Sequence, residues 1–295
     1  MGHSALNYPA VRNNVIPVLL DLPGVGLNMQ DRYEVGLFFV TNTNYSIFNG
    51  CTFATTPTDP CLAAWSAGQQ GAYSTAGTMV VVVKRSSTAE ADPDLFMYAA
   101  PYNFTGYYRG YTQNIAPDYP NLKHFTWGVL KGHTRNTAGT VELKSPNPLD
   151  PPQIDFRYFH EGTTAGGAAT KDLEAIADGV EFVRTVIEKT NELMSLNGGT
   201  FTEILPGAKN VRTRGQIKQF IRDEAWGHHS SGTAKIGADD DDMAVLDSRL
   251  RVRGTRGLRV VDASVFPKIP GFFIVVPIYL LSEKAAEMIL EDAAL

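Results

Sequence analysis

Apolar residues recur every three or four positions between residues 171 and 192, which is the period of one face of an α-helix. These apolar positions are Leu173, Ile176, Ala177, Val180, Val183 and Ile187. A second stretch with the same period covers residues 213–223. There Thr213 and Gln216 have the spacing of a capping box, in which two side chains satisfy backbone N–H groups at a helix start. The pattern therefore predicts two amphipathic helices.

Runs of apolar and aromatic residues between turn-forming residues indicate strands. They cover residues 15–20, 33–40, 78–84, 94–100, 125–131 and 139–144. We expect the last four to complete an antiparallel sheet, with 78–84 buried because it is almost wholly apolar. An aromatic group lies between two of these runs and consists of Tyr102, Phe104, Tyr107, Tyr108 and Tyr111. Both loop packing and a wall of a substrate pocket account for it.

The carboxyl-terminal part predicts a strand, an acidic residue, a loop and a helix. Residues 257–262 read as a short strand that ends on Asp262, and a helix begins near Pro277. In an α/β sheet this order places a ligand at the carboxyl ends of the strands. The helix amino terminus offers N–H groups and a positive dipole end to an electron-rich atom. An ordinary βα unit without a ligand gives the same pattern.

Two adjacent histidines, His228 and His229, stand between Trp226 and the small polar turn Ser230–Thr233. A turn of this composition presents a ring to a cleft more readily than it packs one in a core. Histidine titrates near neutral pH and suits proton transfer. A structural role and a functional one both stay open from this stretch alone.

Four ordered motifs carry a family resemblance: His229–Thr233, Asp247–Val252, Gly257–Ser264 and Glu283–Ala286. They resemble H-P-x-G-T, D-x-x-L-R-V, G-L-R-V-V-D-A-S and E-K-A-A of the glucose–methanol–choline (GMC) FAD-dependent oxidoreductases. Residues 16–31 and 139–155 are similar to earlier segments of that family. The chain resembles the carboxyl-terminal half of the family.

The resemblance implies an α+β fold: an antiparallel-sheet substrate domain with flanking helices (33–240) plus a partial FAD-binding α/β domain (1–32 and 241–295). It implies oxidation of a small-molecule alcohol by hydride transfer to FAD. His229 maps to the family's base, and His228 is assigned a structural role. Asp262 and Ala263, with the amides around Val276 and Ile278, map to the flavin side.

Two departures from the family pattern bear on function. No Gly-x-Gly-x-x-Gly motif is present, and Gly24-Val25-Gly26 is its nearest approach. We therefore expect that the amino-terminal FAD-binding half is missing from this chain and that the chain alone retains FAD weakly. We also expect that apolar residues between 266 and 276 form an exposed patch. In addition, Val275 occupies the position of the family's second His or Asn. An apolar pocket favours an apolar or aromatic alcohol.

These departures leave three hypotheses open. The first is an FAD-dependent alcohol oxidoreductase. The second is a non-redox lyase or cyclase of the same fold with structural FAD, which Val275 motivates. The third is a truncated non-catalytic remnant, which the missing glycine motif motivates.

Composition excludes some partners. The 295 residues carry a net charge of -5 and show no basic block, so nucleic acid is not an expected partner. No apolar run reaches membrane-spanning length, and no signal peptide is visible. Neither cysteine has a Cys/His cluster, and the Asp239–Asp242 run reads as a solvated loop, so no metal site is expected. Cys51 and Cys61 fit a disulfide or two free thiols. Sequons occur at Asn44 and Asn103, and they matter only in a secreted protein.

Overall fold

The computed structural model describes residues 16–44, 50–52, 58–68, 70–75, 77–115, 123–159 and 166–294. Chain contacts divide it into two compact units. The histidine unit comprises Met1–Arg32, His133–Asp172 and Gly227–Leu295, and the sheet unit comprises Tyr33–Gly132 and Leu173–Trp226. The predicted functional division, with 1–32 and 241–295 on the flavin side and 33–240 on the substrate side, stays a prediction.

The strands of the described chain are β1 (Glu34–Thr41), β2 (Val80–Lys84), β3 (Leu95–Ala100), β4 (His124–Lys131), β5 (Thr140–Glu142), β6 (Gln153–Asp155) and β7 (Phe201–Leu205). The α-helices are α1 (Pro60–Gly68), α2 (Tyr111–Ile115), α3 (Ala168–Met194), α4 (Arg214–Glu224) and α5 (Val275–Ala293). Short 3-10 turns cover Ala72–Thr75, Ser195–Asn197 and Ala263–Val265.

The sheet unit contains a five-stranded sheet in the order β2-β3-β4-β1-β7. Every neighbouring pair is antiparallel, as predicted for the central sheet. The expected burial of 78–84 is wrong, because β2 is an edge strand with exposed valines at 80, 81 and 83. The run at 139–144 is also outside this sheet, since β5 pairs only with β6 in the histidine unit. Strand β7 was not predicted.

One face of the five-stranded sheet packs on helix α3. Its residues are fully buried and include Val35, Leu37, Leu95, Met97 and Val129. At Gly179 of α3, an added Cβ would lie only 2.4 Å from Val129 Cγ1. The helix therefore needs glycine where its backbone touches β4.

The opposite face of the sheet carries a different set of residues. Gly36 of β1 is paired with Gly128 of β4, which is also paired with Tyr98 of β3. The Tyr98 ring lies over Gly128, where a Cβ would come within 2.5 Å of it. Gly128 thus makes room for the Tyr98 ring, whose hydroxyl reaches the buried Glu34. At Gly36 an added Cβ would instead lie 2.7 Å from the Phe104 carbonyl oxygen.

Both helices predicted from periodicity are confirmed. Helix α3 buries the predicted apolar residues, and α4 buries Ile217, Phe220 and Ile221. The capping box of Thr213 and Gln216 is present at the start of α4. Arg214 adds ion pairs to Glu174, Asp178 and Glu181, which repeat along α3 and hold the two helices together.

The histidine unit has its own apolar cluster, formed by Val245, Leu246, Leu250, Val252, Val265 and Ala285. Ala285 belongs to α5, so the cluster anchors this helix. Helix α5 begins at Val275 and places Pro277 in its first turn, as expected. The strand predicted at 257–262 is wrong, because only Arg259 forms a bridge, to Arg251. A strand needs several successive residues that are paired with a neighbouring strand. In this part of the described chain only one residue is paired.

The short strand predicted at 15–20 is also wrong over residues 16–20, and residue 15 is outside the described residues. Cys51 and Cys61 form a disulfide with their Cα atoms 5.3 Å apart, so one of the two sequence alternatives is selected. Within the described residues, none of the helices combines the length and apolar character that a membrane span requires.

Candidate active site

The histidine turn, residues 227–233, is held by a neighbouring segment of its own unit, residues 26–30. Gln30 and Ser231 exchange both backbone hydrogen bonds, each 2.9 Å long. The Gly26 amide donates to the Thr233 carbonyl at 2.7 Å. Residues 26–30 therefore run beside residues 231–233 and fix the backbone that follows His229.

Asp31 organises the start of this turn. Its Oδ1 accepts hydrogen bonds from the backbone N–H groups of His229, at 2.8 Å, and Arg32, at 2.7 Å. Its Oδ2 accepts from the Tyr158 hydroxyl at 2.9 Å. The Asp31 carbonyl accepts from the Thr134 hydroxyl at 2.8 Å. A single buried carboxylate thus joins three segments that are distant in the sequence.

Burial and hydrogen bonding shift the pKa of this carboxylate in opposite directions. Desolvation raises the pKa of Asp31, while hydrogen bonds from the His229 and Arg32 amides and from Tyr158 lower it in part. The side chain is 1% exposed. The carboxylate can hold the turn only because those donors replace the water that it has lost.

Gly227 lets the turn approach Asp31. A Cβ at this position would lie 2.3 Å from Asp31 Oδ2 and 2.7 Å from the Arg32 carbonyl oxygen. No side chain fits at such distances. The glycine before the two histidines is therefore required by the contact that positions them.

The two histidines differ in burial. His229 is 6% exposed, whereas His228 is exposed, and their ring centroids are 3.9 Å apart. Desolvation, followed by the charges of His228 and Arg32, lowers the pKa of His229 to about 3. The Phe273 ring centroid is 5.6 Å from that of His229. His229 is thus a neutral imidazole at physiological pH, and the Phe273 ring lies beside it at a tilt of 59°.

The predicted flavin-side segment is tied to the same turn. Amides of Gly232, Ala234 and Ile236 donate to the carbonyls of Ala263, Ser264 and Val265. The Asp262 carboxylate caps this 3-10 turn by accepting from the Ser264 amide at 2.8 Å. Asp262 and Ala263 therefore lie directly beside the segment that follows His229.

Polar side chains of residues 28–32 hold the loop that leads to α5. Gln30 Nε2 donates to the Pro267 carbonyl at 3.0 Å, and its Oε1 accepts from the Ile269 amide at 3.1 Å. The Arg32 guanidinium donates to the Pro270 carbonyl. Residues 28–32 thus connect the histidine turn and the loop before α5.

Helix α5 starts without a side-chain cap, since Ile274 is at the N-cap position. Val275 and Val276 are 54% and 70% exposed. The Ile278 amide already donates to the Ile274 carbonyl at 2.9 Å, so it is engaged within the helix. Of the two predicted amides, that of Val276 belongs to the first turn and is not used by the helix itself.

The aromatic group of residues 102–111 lies in the sheet unit, together with Trp226 and Glu34. The Trp226 ring centroid is 5.2 Å from that of Phe104 and 5.1 Å from that of Tyr107. Tyr98 donates its hydroxyl to Glu34 Oε2 at 3.0 Å. Burial, followed by the negative charge of Glu34, raises the pKa of Tyr107 to about 12. This unit therefore surrounds a buried carboxylate with aromatic rings.

Sequence reasoning did not assign a role to Asp31, Arg32 or Tyr158. Asp31 ends a segment whose family resemblance was visible, and this was the available signal. Tyr158 follows a Pro-rich connection and carried no motif. Neither residue could be linked to His229 without the folded backbone.

The GMC oxidoreductase family profile matches residues 135–282, half of the chain. The chain belongs to the GMC oxidoreductase family. It is 31% identical over 283 residues to the oxygen-dependent choline dehydrogenase of Pseudomonas fluorescens, which covers 93% of this GMC chain and 44% of that relative. A choline dehydrogenase of Vibrio vulnificus is 37% identical over 160 residues, 54% of this chain and 26% of the relative. The GMC chain spans less than half the length of these relatives.

Solved GMC structures share the fold. A formate oxidase variant of Aspergillus oryzae, solved to examine FAD modification, has a TM-score of 0.71 at 19% identity and covers 96% of this chain and 50% of its own. A fungal aryl-alcohol oxidase has a TM-score of 0.64 at 20% identity, with 97% and 51% covered. The predicted α+β GMC fold is confirmed, and the expected cofactor, FAD, is confirmed for the family.

Proposed function

We propose that this chain supplies the proton-accepting and substrate-facing part of an FAD-dependent oxidoreductase that oxidises the CH–OH group of an alcohol. The observation that carries the proposal is His229. It is buried, its pKa of about 3 keeps it neutral, and its backbone is anchored by Asp31. A neutral imidazole can accept the hydroxyl proton while hydride leaves the neighbouring carbon.

The residues of the histidine unit fit FAD. The α5 amino terminus has no side-chain cap, and its exposed first turn offers the Val276 amide to an electron-rich atom. Asp262 and Ala263 adjoin the segment after His229, because the Gly232 amide donates to the Ala263 carbonyl. We propose that these residues hold the flavin side of the cofactor. The Ile278 amide is bonded to the Ile274 carbonyl, so Ile278 contributes by stabilising the first turn of α5 and not by donating to the flavin. When bound, FAD supplies the hydride acceptor.

The substrate class follows from the aromatic ring beside the imidazole and from the apolar residues that adjoin this ring in the sequence. Phe273 contacts the His229 ring, Phe272 contacts His133, and Val275 occupies the first helical position. None of these three apolar side chains donates a hydrogen bond to a substrate oxygen. We therefore propose an apolar or aromatic alcohol as the preferred substrate.

A cationic alcohol is a second candidate, and the sheet unit favours it. Aromatic faces attract cations, and a buried carboxylate adds charge complementarity. Glu34 with Tyr98, Tyr107 and Trp226 has this composition, and relatives of the chain are named choline dehydrogenases. A substrate panel should therefore include a quaternary ammonium alcohol beside the aryl alcohols.

The test uses the protein joined to a strand–Gly-x-Gly-x-x-Gly–helix segment, with flavin content matched between variants. His229→Ala should lower anaerobic bleaching of the flavin by alcohols by roughly 10²–10⁴-fold, the usual effect of losing a positioned base. His228→Ala is the matched control and should cost far less. Residues 1–295 alone should not turn over alcohol, since Gly24-Val25-Gly26 is their nearest approach to the glycine motif.

The outcomes separate the hypotheses. Near-full activity of His229→Ala with loss in His228→Ala would show that the base is the neighbouring histidine. No effect of either variant would refute proton abstraction by this turn. Product formation with flavin that stays oxidised throughout would support the lyase or cyclase alternative, which the apolar Val275 motivates.

A further inference from the structure

One edge of the five-stranded sheet is exposed and apolar. Strand β2 forms this edge, and among the described residues it is paired only with β3. It consists of four consecutive valines followed by Lys84. Val80, Val81 and Val83 are 41%, 50% and 49% exposed. An edge strand directs backbone N–H and C=O groups outward, and together with apolar side chains these groups form a template for pairing with another strand.

The exposed valines of β2 lie on both faces of the sheet. Val81 is opposite Tyr98 of β3, and Val83 follows two residues later, so both lie on the face that carries the Tyr98 ring. Val80 alternates with Val81 and lies on the face that packs on helix α3. A strand added beside β2 would therefore cover apolar side chains above and below the sheet.

The opposite edge of the same sheet, formed by β7, is protected. The pairing of β7 with β1 shifts register between Phe38 and Phe39. Asn191 of α3 donates to the Phe201 carbonyl at 2.9 Å and accepts from the Phe201 amide at 2.6 Å. Pro206 follows β7 directly and has no N–H. Register shifts and prolines are common protections against edge pairing, and β2 contains neither.

The sequence of β2 suits pairing with a second copy of itself. Antiparallel pairing about a twofold axis at Val82 is the only register that pairs all five residues of the strand. It places Val81 of one copy opposite Val83 of the other, so apolar side chains meet across the new contact. It also places Lys84 opposite Val80, so no two charges of the same sign are directly opposite each other. A twofold contact of this kind uses the same surface on both copies and closes as a dimer.

We propose that β2 is a homodimer interface through which two copies of this chain join their five-stranded sheets into one continuous sheet. The occupant of the edge is β2 of the second copy, in the antiparallel register centred on Val82. Because the contact is only five residues long, the dimer is in a concentration-dependent equilibrium with the monomer.

Sedimentation velocity over a concentration series tests this interface. The weight-average mass of residues 1–295 should rise with concentration from 32.2 kDa toward twice that value. The double variant Val81→Lys/Val83→Lys places lysine opposite lysine in the proposed register, so its dimer dissociation constant should rise by roughly tenfold or more. Ile204→Lys is the matched control, because Ile204 is 52% exposed on β7 at the opposite edge. This control should dimerise like the parent chain.

A charge swap identifies what occupies the edge. Val81→Glu/Val83→Glu should also weaken the dimer, because glutamates are then opposite each other. An equimolar mixture of the lysine and glutamate variants should dimerise again, since every introduced lysine is opposite an introduced glutamate. Hydrogen exchange of the parent chain needs no variant, and exchange of the amides of residues 80–84 should slow as the concentration rises.

Several results would overturn the proposal. One is a parent chain that stays at 32.2 kDa over the whole series, and another is a lysine variant that associates as the parent does. A mixture of folded lysine and glutamate variants that stays monomeric would exclude pairing of β2 with its own copy. If the variants do not unfold cooperatively, hydrogen exchange decides: a rising mass with unchanged exchange at residues 80–84 would place the contact elsewhere.

Discussion

The central role of Asp31 gives the sharpest prediction about the site. Asp31→Ala removes the acceptor of three hydrogen bonds, from the His229 and Arg32 amides and from the Tyr158 hydroxyl. It also leaves two backbone N–H groups without their acceptor in a buried place. The histidine turn then loses its anchor at the residue that carries the proposed base.

The magnitude follows from these contacts. Each buried donor left without a partner costs about 1–3 kcal/mol. Removing the carboxylate also removes its desolvation penalty, which is the main cause of its raised pKa. The free energy of unfolding should therefore fall by about 2–5 kcal/mol in Asp31→Ala. Asp31→Asn keeps an acceptor oxygen and should lose about 1 kcal/mol, with Tyr158→Phe between the two.

The assay is urea unfolding of the three variants beside the parent protein, with the midpoint and slope compared. Turnover is measured on the same variants in the protein joined to the strand–Gly-x-Gly-x-x-Gly–helix segment, at equal flavin content. We expect stability to decrease in the order Asp31→Asn, Tyr158→Phe, Asp31→Ala, and turnover to follow the anchoring of the histidine turn. If the free energy of unfolding of Asp31→Ala were within about 0.5 kcal/mol of the parent value, the assigned role would be refuted. Two buried amides without an acceptor should destabilise the protein by more than that.

Two further predictions concern the same turn. Gly227→Ala should lower the free energy of unfolding by roughly 1–3 kcal/mol, because its Cβ would lie 2.3 Å from Asp31 Oδ2. Gly215→Ala in helix α4, whose Cβ would make only an ordinary contact at 3.9 Å with Thr213 Oγ1, should raise it by up to about 1 kcal/mol. Equal effects of the two changes in thermal unfolding would contradict this prediction. For pH, the folded pKa of His229, about 3, is below its ordinary value of 6.5. The unfolded chain therefore binds more protons between these values, and stability should fall as pH drops, by up to about 1.4 kcal/mol per unit. His229→Gln should flatten this slope in unfolding curves, and an unchanged slope would show that another group titrates.

The periodicity of the chain by itself determined helices α3 and α4 and most of the central sheet, whereas α1 and α2 were not predicted. Helices α3 and α4 were predictable because an apolar stripe every three or four residues has one stable way to be buried. The capping box of Thr213 was predictable because it depends on residues only three apart. The ordered motifs from His229 to Glu283 were also visible, since a linear signature does not require knowledge of contacts.

Only the tertiary structure decided which strands meet and which residues hold the histidine turn. Val80–Lys84 reads as a buried run, but its place at the sheet edge exposes it. Residues 257–262 read as a strand, yet strand formation depends on partners that the local sequence does not specify. Asp31 lies 198 residues before His229, and their hydrogen bond exists because the folded backbone brings an acceptor to an amide. Local patterns encode elements, whereas contacts across such separations are set by the packing of the whole unit.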